Sequence, residues 1–257
     1  MNPRNLQSSV LLSQNQLQNL SEQSMAASLQ AKGELALLNK CLDKGLNYFN
    51  KALSLEPANF KLYFCQGLSL FQFAQGKQQK KPLLLANKRL KTAAQLSPNH
   101  LDIWQAWSSV LSVLGCTYKN LKYFLDAHEK ITQAIDLCSP QKTDTLADLY
   151  ADLGSIFLHI ASYSQEPNDL YHAIQTFEKA AHLNETLSTD VWKDFGLACY
   201  RFANFVNEGR FYFKANQCFK NALSLEPESA SLWHLLAQTF CCLYTQTHDE
   251  DHFIKAD

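Results

Sequence analysis

The sequence is poor in the residues that interrupt helices, because only 8 of its 257 residues are glycine and 7 are proline. This scarcity favours long helices joined by few sharp turns. Net charge is also small: 23 basic side chains stand against 24 acidic ones, for a formal charge of −1. A nearly neutral chain supplies no broad electrostatic field for nucleic acid or for an anionic membrane surface. We therefore predict no nucleic-acid partner.

Long apolar runs and paired cysteines are missing as well. No stretch reaches the roughly 18 consecutive apolar residues of a membrane span, and residues 1–23, rich in Gln, Asn and Ser, have neither a secretory nor a lipidation pattern. The eight cysteines include no C-x-x-C pair and mostly fall in apolar helical patterns, where a free cysteine behaves as a small hydrophobe. We predict a cytoplasmic protein without membrane insertion.

Patterns of the common enzyme classes are absent too. The sequence has no Gly-rich phosphate loop, no G-x-S-x-G and no H-E-x-x-H. In "HDEDH" the i, i+4 histidines His248 and His252 could share a helical face, but the sequence pattern supplies no third metal ligand. Adjacent Cys241 and Cys242 would point in different directions on a helix, and we interpret "GKQQKKP" at 76–82 as a solvated insert. We predict no catalytic residue, no metal and no cofactor.

What the sequence does contain is an internal repeat. Residues 45–57, "GLNYFNKALSLEP", return as "ANQCFKNALSLEP" at 215–227, and three related segments between them end at residues 98, 140 and 185. Each segment carries a small residue, a large apolar residue and alanine at i, i+4 and i+7, which places all three on one helical face. These triplets are Gly45/Phe49/Ala52, Ala86/Leu90/Ala93, Ala127/Ile131/Ala134, Ala173/Phe177/Ala180 and Ala215/Phe219/Ala222.

A second pattern follows each of these segments. A leading aromatic residue is followed by a bulky apolar residue or Gln three positions later, a small residue at four and an apolar residue at seven. The five copies are "YFCQGLSL" from Tyr63, "WQAWSSVL" from Trp104, "YADLGSIF" from Tyr150, "WKDFGLAC" from Trp192 and "WHLLAQTF" from Trp233. This pattern predicts a second helix with its own packing face.

The paired pattern resembles the tetratricopeptide repeat, in which helix A carries an aromatic, Leu-Gly and another aromatic, and helix B carries Ala, Phe or Tyr, Ala and a closing Pro. With "LQAKGELA" as a weaker first helix A, the resemblance covers about residues 29–245. It implies an all-α fold, a right-handed α-solenoid of stacked antiparallel helix pairs. We expect residues 21–257 to form an array of about six repeats, the last cut short, and residues 1–20 to form a polar tail or a capping helix.

The spacing departs from the family pattern in one respect. From the small residue of helix A to that of helix B, the first repeat takes 12 residues, Gly33 to Gly45, as the family pattern does, but the next four take 19. Seven extra residues amount to about two helical turns. We expect longer helices or a larger loop between helices A and B.

The resemblance also implies a partner-binding groove, since helix A lines the concave side of tetratricopeptide arrays. Carried over by position, the groove residues are Phe64, Leu68, Phe71, Leu158, His159, Lys193, Leu197, Tyr200, Arg201 and His234, with Gln105, Ser109, Val113, Ala151, Ser155 and Gln238 at further equivalent positions. This set suits an amphipathic helix or an extended segment with apolar anchors and a carboxylate. Its apolar members fit a core role equally well.

We interpret the chain as a non-catalytic scaffold that binds a protein or peptide in this groove. The two-carboxylate clamp of chaperone-tail receptors is not matched, because Gln30 and Glu34 stand where the first repeat would need Lys and Asn. Two alternatives stay open: a secretion-type chaperone resembling class II, whose repeats are usually shorter, and the regulatory repeat region of a larger enzyme. Homo-association through an uncapped repeat end is a further option.

Overall fold

The computed structural model describes the backbone of residues 3–75 and 79–247 and the side chains of residues 21–75 and 79–245. Every regular element within these ranges is an α-helix, so the predicted all-α class is confirmed. The "HDEDH" segment, the end of the predicted array and residues 76–78 of the solvated insert lie outside the described ranges. The helices are α1 Pro3–Leu38, α2 Leu42–Leu55, α3 Phe60–Gln75, α4 Lys80–Leu96, α5 Leu101–Tyr118, α6 Leu121–Leu137, α7 Thr143–Ser164, α8 Pro167–Leu183, α9 Thr189–Val206, α10 Gly209–Leu225 and α11 Ala230–Thr247.

The chain divides into two compact units, an N-terminal unit Met1–Tyr118 with α1–α5 and a C-terminal unit Lys119–Asp257 with α6–α11. In the N-terminal unit the closest packing is within the pairs α1/α2 and α3/α4. In the C-terminal unit it is within α7/α8 and α9/α10. These pairs are the predicted A and B helices, joined by short turns. The first part of α1 includes residues 3–20, for which the sequence leaves a tail and a capping helix open.

The repeated small residues allow helices A and B to approach closely. A Cβ atom added at Gly154 in α7 would lie 2.8 Å from two ring atoms of Phe177 in α8, and one added at Gly196 in α9 would lie 2.6 Å from the ring of Phe219 in α10. Both phenylalanines are fully buried. The small residue of helix A therefore faces the large residue of helix B.

The seven extra residues lengthen the helices. Helices α4, α6, α8 and α10 have 17 residues each, against 14 in α2. Helices α7 and α9 are followed directly by Gln165 and Asn207 in the left-handed conformation, with φ of 57° and 55°, which ends each helix without glycine. Helix α8 then begins at Pro167, in the first-turn position that proline favours.

Candidate partner-binding surface

In the C-terminal unit, helices α7 and α9 meet along a row of polar side chains. Ser155 Oγ donates a hydrogen bond to Asp194 Oδ2 at 3.0 Å, and Arg201 Nη1 donates to Ser162 Oγ at 2.9 Å. His159 lies between these two bonds along α7, within electrostatic reach of both Asp194 and Arg201. We call Ser155, His159, Ser162, Asp194 and Arg201 the polar row. It includes three predicted groove positions: 155, 159 and 201.

Burial governs the protonation of the central members of the polar row. It raises the pKa of the Asp194 carboxyl, an effect that the Ser155 hydrogen bond and the charges of Lys193 and His159 only partly oppose. Burial likewise lowers the pKa of His159, whose ring stacks on Phe124 at a centroid distance of 4.9 Å. Both shifts favour the neutral forms, since desolvation penalises charge.

Arg201 is the cation of the row. Burial lowers its pKa, but a guanidinium starts so far above neutrality that it stays charged. Its hydrogen-bond acceptor, Ser162, is neutral, and within the described ranges no carboxylate lies at ion-pair distance from it. Lys193 differs, because its Nζ is 2.6 Å from Asp190 Oδ1. Arg201 can therefore bind an external carboxylate without breaking an internal ion pair.

Apolar and exposed side chains flank the polar row. Leu197 and Tyr200 on α9 are half-buried and pack on the core of the C-terminal unit. The Tyr200 hydroxyl lies 4.0 Å from Cys242 Sγ of α11, and His234 and Gln238 on α11 are exposed. The predicted positions on α9 and α11 thus include accessible apolar and polar atoms.

In the N-terminal unit the predicted positions are half-buried. The ring of Phe64 lies 6.1 Å from that of His100 and packs beside Ala93, Ala94 and Ile103, so part of it belongs to the core. Leu68 and Phe71 keep partial exposure on α3, as do Gln105, Ser109 and Val113 on α5.

A cavity of about 140 Å³ lies between helices α1 and α3 of the same unit. Its walls combine apolar side chains with polar ones, from the end of α1, the turn after it and the second half of α3. The lining residues are Glu34, Leu37, Leu38, Lys40, Ser69, Gln72 and Phe73.

Solved structures with the same arrangement of helices are tetratricopeptide proteins. A tetratricopeptide repeat protein from Parabacteroides merdae matches 91% of this chain and 77% of its own, with a TM-score of 0.59 and 16% identity. TTC0263, a thermophilic TPR protein of Thermus thermophilus, matches 84% of this chain and 99% of its own, with a TM-score of 0.51 and 14% identity. The chain has the tetratricopeptide-repeat fold.

A third structure of this fold, residues 41 to the end of MamA from Desulfovibrio magneticus, has a TM-score of 0.58 and 16% identity over 80% of this chain and 97% of its own. No protein-family model and no curated protein matches the sequence. The solved structures thus confirm the resemblance predicted from the repeat pattern. At these low sequence identities, they support the fold and no shared function.

Two groove positions carried over from the tetratricopeptide pattern are wrong. Leu158 is only 5% exposed and lies in the core of the C-terminal unit with Phe177 and Phe195. Ala151 is equally buried, beside Ala180 and Leu187. Both side chains face the neighbouring helices, so a partner cannot reach them.

Two members of the polar row, Asp194 and Ser162, are not among the groove positions predicted from the sequence. Asp194 directly follows a groove position, and Ser162 lies three residues after His159 on the same face of α7. An i, i+3 search from His159 would have found Ser162. Nothing local identifies Asp194, because its partner Ser155 is 39 residues away.

Membrane-spanning helices and metal sites are absent from the described part of the chain. Within residues 3–75 and 79–247, no helix combines the length and hydropathy needed to cross a bilayer. Across the same ranges, no three His, Cys, Asp or Glu side chains are grouped as metal ligands would be.

Proposed function

We propose that this chain is a non-catalytic scaffold that binds a segment of a partner protein on the A helices of its C-terminal unit. The partner places an acidic side chain or a terminal carboxylate on Arg201 and apolar side chains on Leu197 and Tyr200. His234 and Gln238 of α11 form the polar edge of the contact. The proposal also includes a cytoplasmic localisation, which the pattern of unpaired cysteines favours.

One observation carries the proposal: Arg201 is a half-buried cation whose acceptor is a neutral hydroxyl. A desolvated guanidinium gains most from a carboxylate, which it can bind through two parallel hydrogen bonds. An amphipathic segment would combine this polar contact with apolar anchors, and the half-buried Leu197 and Tyr200 supply the apolar area.

The test is affinity capture from the native lysate with quantitative mass spectrometry, comparing the chain with Arg201→Gln. The matched control is Arg210→Gln, which removes the same charge from an exposed arginine paired with Glu208 at 2.5 Å. We expect Arg201→Gln to deplete a partner at least about tenfold, because leaving a buried carboxylate unpaired costs about 2–5 kcal/mol. Arg210→Gln should retain it.

A second pair of variants tests the apolar part of the surface. Leu197→Glu and Phe64→Glu place a charge on α9 and on α3, and circular dichroism verifies that the helices persist. Loss of the partner with Leu197→Glu supports the surface on α9. Retention of the same proteins by Arg201→Gln and Leu197→Glu alike would refute the proposed binding mode.

A further inference from the structure

The cavity between α1 and α3 contains the carboxylate of Glu34, which makes no ion pair with another described residue. Gln30 Nε2 donates to Glu34 Oε1 at 2.9 Å, and the same carboxylate lies close enough to the Cys65 thiol to contribute, after burial, to raising its pKa. No Lys, Arg or His of the described chain lies at ion-pair distance from Glu34. Glu34 is therefore held by an uncharged donor, and its charge is not paired with a cation at contact distance.

The other cavity walls fit the stem of a long aliphatic side chain. Leu37 is buried, whereas Leu38 is 67% exposed at the edge, and Phe73 supplies the aromatic wall from α3. The side chains of Ser69 and Gln72 make no hydrogen bond with another described residue. Their oxygens can accept from a ligand, in addition to Glu34.

We propose that this cavity binds one lysine side chain of a partner segment, with its methylenes against Leu37, Leu38 and Phe73 and its ammonium on Glu34. This assignment rests on the proposed function, since it supplies a second contact for a bound partner. A lysine buries its four-carbon stem on apolar surface and keeps its charged end on polar atoms. The volume of about 140 Å³ admits one such side chain.

Lysine fits this carboxylate better than arginine does. Bidentate binding of a guanidinium uses both oxygens of a carboxylate in one plane, and the bond from Gln30 to Oε1 of Glu34 takes one of the lone pairs available for that geometry. An ammonium is a compact charge with three rotatable donors, which can be shared among Glu34, Ser69 and Gln72 without a planar fork.

Lys40 allows a test of whether the cavity binds a cation. It also lines the cavity and is not within ion-pair distance of Glu34, so its charge repels an incoming ammonium. Neutralising Lys40 should therefore strengthen binding of a lysine, whereas neutralising Glu34 should weaken it.

The experiment is an NMR titration of the full chain labelled at leucine methyl groups, with Leu37 and Leu38 assigned. One probe is Nα-acetyl-lysine N-methylamide, and the control probe is Nα-acetyl-norleucine N-methylamide, which has the same stem length without the ammonium. We expect the lysine probe to shift the Leu37 and Leu38 methyl signals with an affinity about two- to fivefold higher than the norleucine probe, the range for a solvent-accessible ion pair.

Variants then assign that difference to individual residues. In Glu34→Gln the lysine probe should fall to the affinity of the norleucine probe, which itself stays unchanged, and in Lys40→Gln the lysine probe should bind more tightly. Leu38→Ala, an exposed position that tolerates truncation, should weaken both probes equally. Amide spectra verify the fold of each variant.

Equal affinity of the two probes, methyl shifts confined to other leucines, or an unchanged lysine affinity in Glu34→Gln would each overturn the assignment. The titration uses no captured partner and leaves Arg201 intact. Lysine binding without partner capture refutes only the proposed function, and partner capture without lysine binding refutes only the cavity assignment.

Discussion

The indole Nε1 of Trp104 donates a hydrogen bond to the carbonyl oxygen of Pro98 at 2.7 Å. The same bond recurs from Trp233 to Pro227 at 2.8 Å and from the Tyr63 hydroxyl to Pro57 at 3.1 Å. In each case the proline follows a helix B and the aromatic residue leads the next helix A, six residues later. At these three junctions the closing proline and the leading aromatic residue therefore bond to each other and hold the turn between repeats.

Tyr63→Phe tests this bond with little change in shape. A net hydrogen bond contributes about 0.5–1.5 kcal/mol, and because this one is exposed we expect the lower half of that range. Hydrogen exchange of the turn amides of Asn59 and Leu62 should become about two- to fivefold faster. Tyr48→Phe is the control, since the hydroxyl of this half-buried residue has no partner among the described residues. Equal exchange in both variants would contradict the role of the bond.

Gly154→Ala should destabilise the C-terminal unit although alanine is the better helix former. The gain in helix propensity is about 1 kcal/mol, but the new Cβ would lie 2.8 Å from the Phe177 ring, and overpacking costs typically about 1–3 kcal/mol. Urea unfolding measures the net loss. Because Phe177→Leu makes room, the double variant should lose less than the two single losses combined. Additive losses would show that the close approach is unimportant.

Asp194→Asn should stabilise the protein at neutral pH. Burial raises the native pKa of Asp194 above its ordinary value of 3.8, so the native state holds its proton more tightly than the unfolded state does. Stability conferred by this group is then present below the unfolded pKa and is lost as pH rises through the native pKa. The advantage of Asp194→Asn in urea unfolding should grow with pH across that interval. Asp190→Asn is the control: it removes an exposed carboxylate that also lies beside Lys193, and it should give no such advantage.

Alkylation of Cys65 should accelerate when Glu34 is neutralised. Burial first, and then the adjacent Glu34 carboxylate, raise the pKa of this thiol to about 11, and only the thiolate reacts. Glu34→Gln removes the charge while leaving the helices in place. Iodoacetamide labelling at about pH 8, near the ordinary thiol pKa, followed residue by residue with mass spectrometry, should show faster modification of Cys65 and an unchanged rate at exposed Cys41. An unchanged labelling rate of Cys65 would contradict an effect of the Glu34 carboxylate on this thiol.

The helices and their pairing follow from the sequence because they depend on local spacing. Residues at i and i+4 share a helical face wherever the helix lies, so Ala173 and Phe177 could be placed on one packing face of helix B beforehand, whereas the contact of Phe177 with Gly154 comes from the structure. The surface is less predictable. Leu158 and His159 are adjacent on α7, and only the packing of α8 and α9 decides that the first enters the core. Asp194 and Ser155 come together through the alignment of two helices, which no single segment encodes.

The two hydrogen bonds between α7 and α9 have a geometric consequence. Both join residues 39 apart, whereas equivalent positions such as Gly154 and Gly196 are 42 apart in sequence. The three-residue difference is nearly one helical turn, so Ser155 and Ser162 of α7 contact side chains of α9 that lie one turn before the equivalent positions. Each repeat therefore offers two different sets of positions to its neighbours: the serines on the side of α7 that meets α9, and residues one turn earlier on the side of α9 that meets α7.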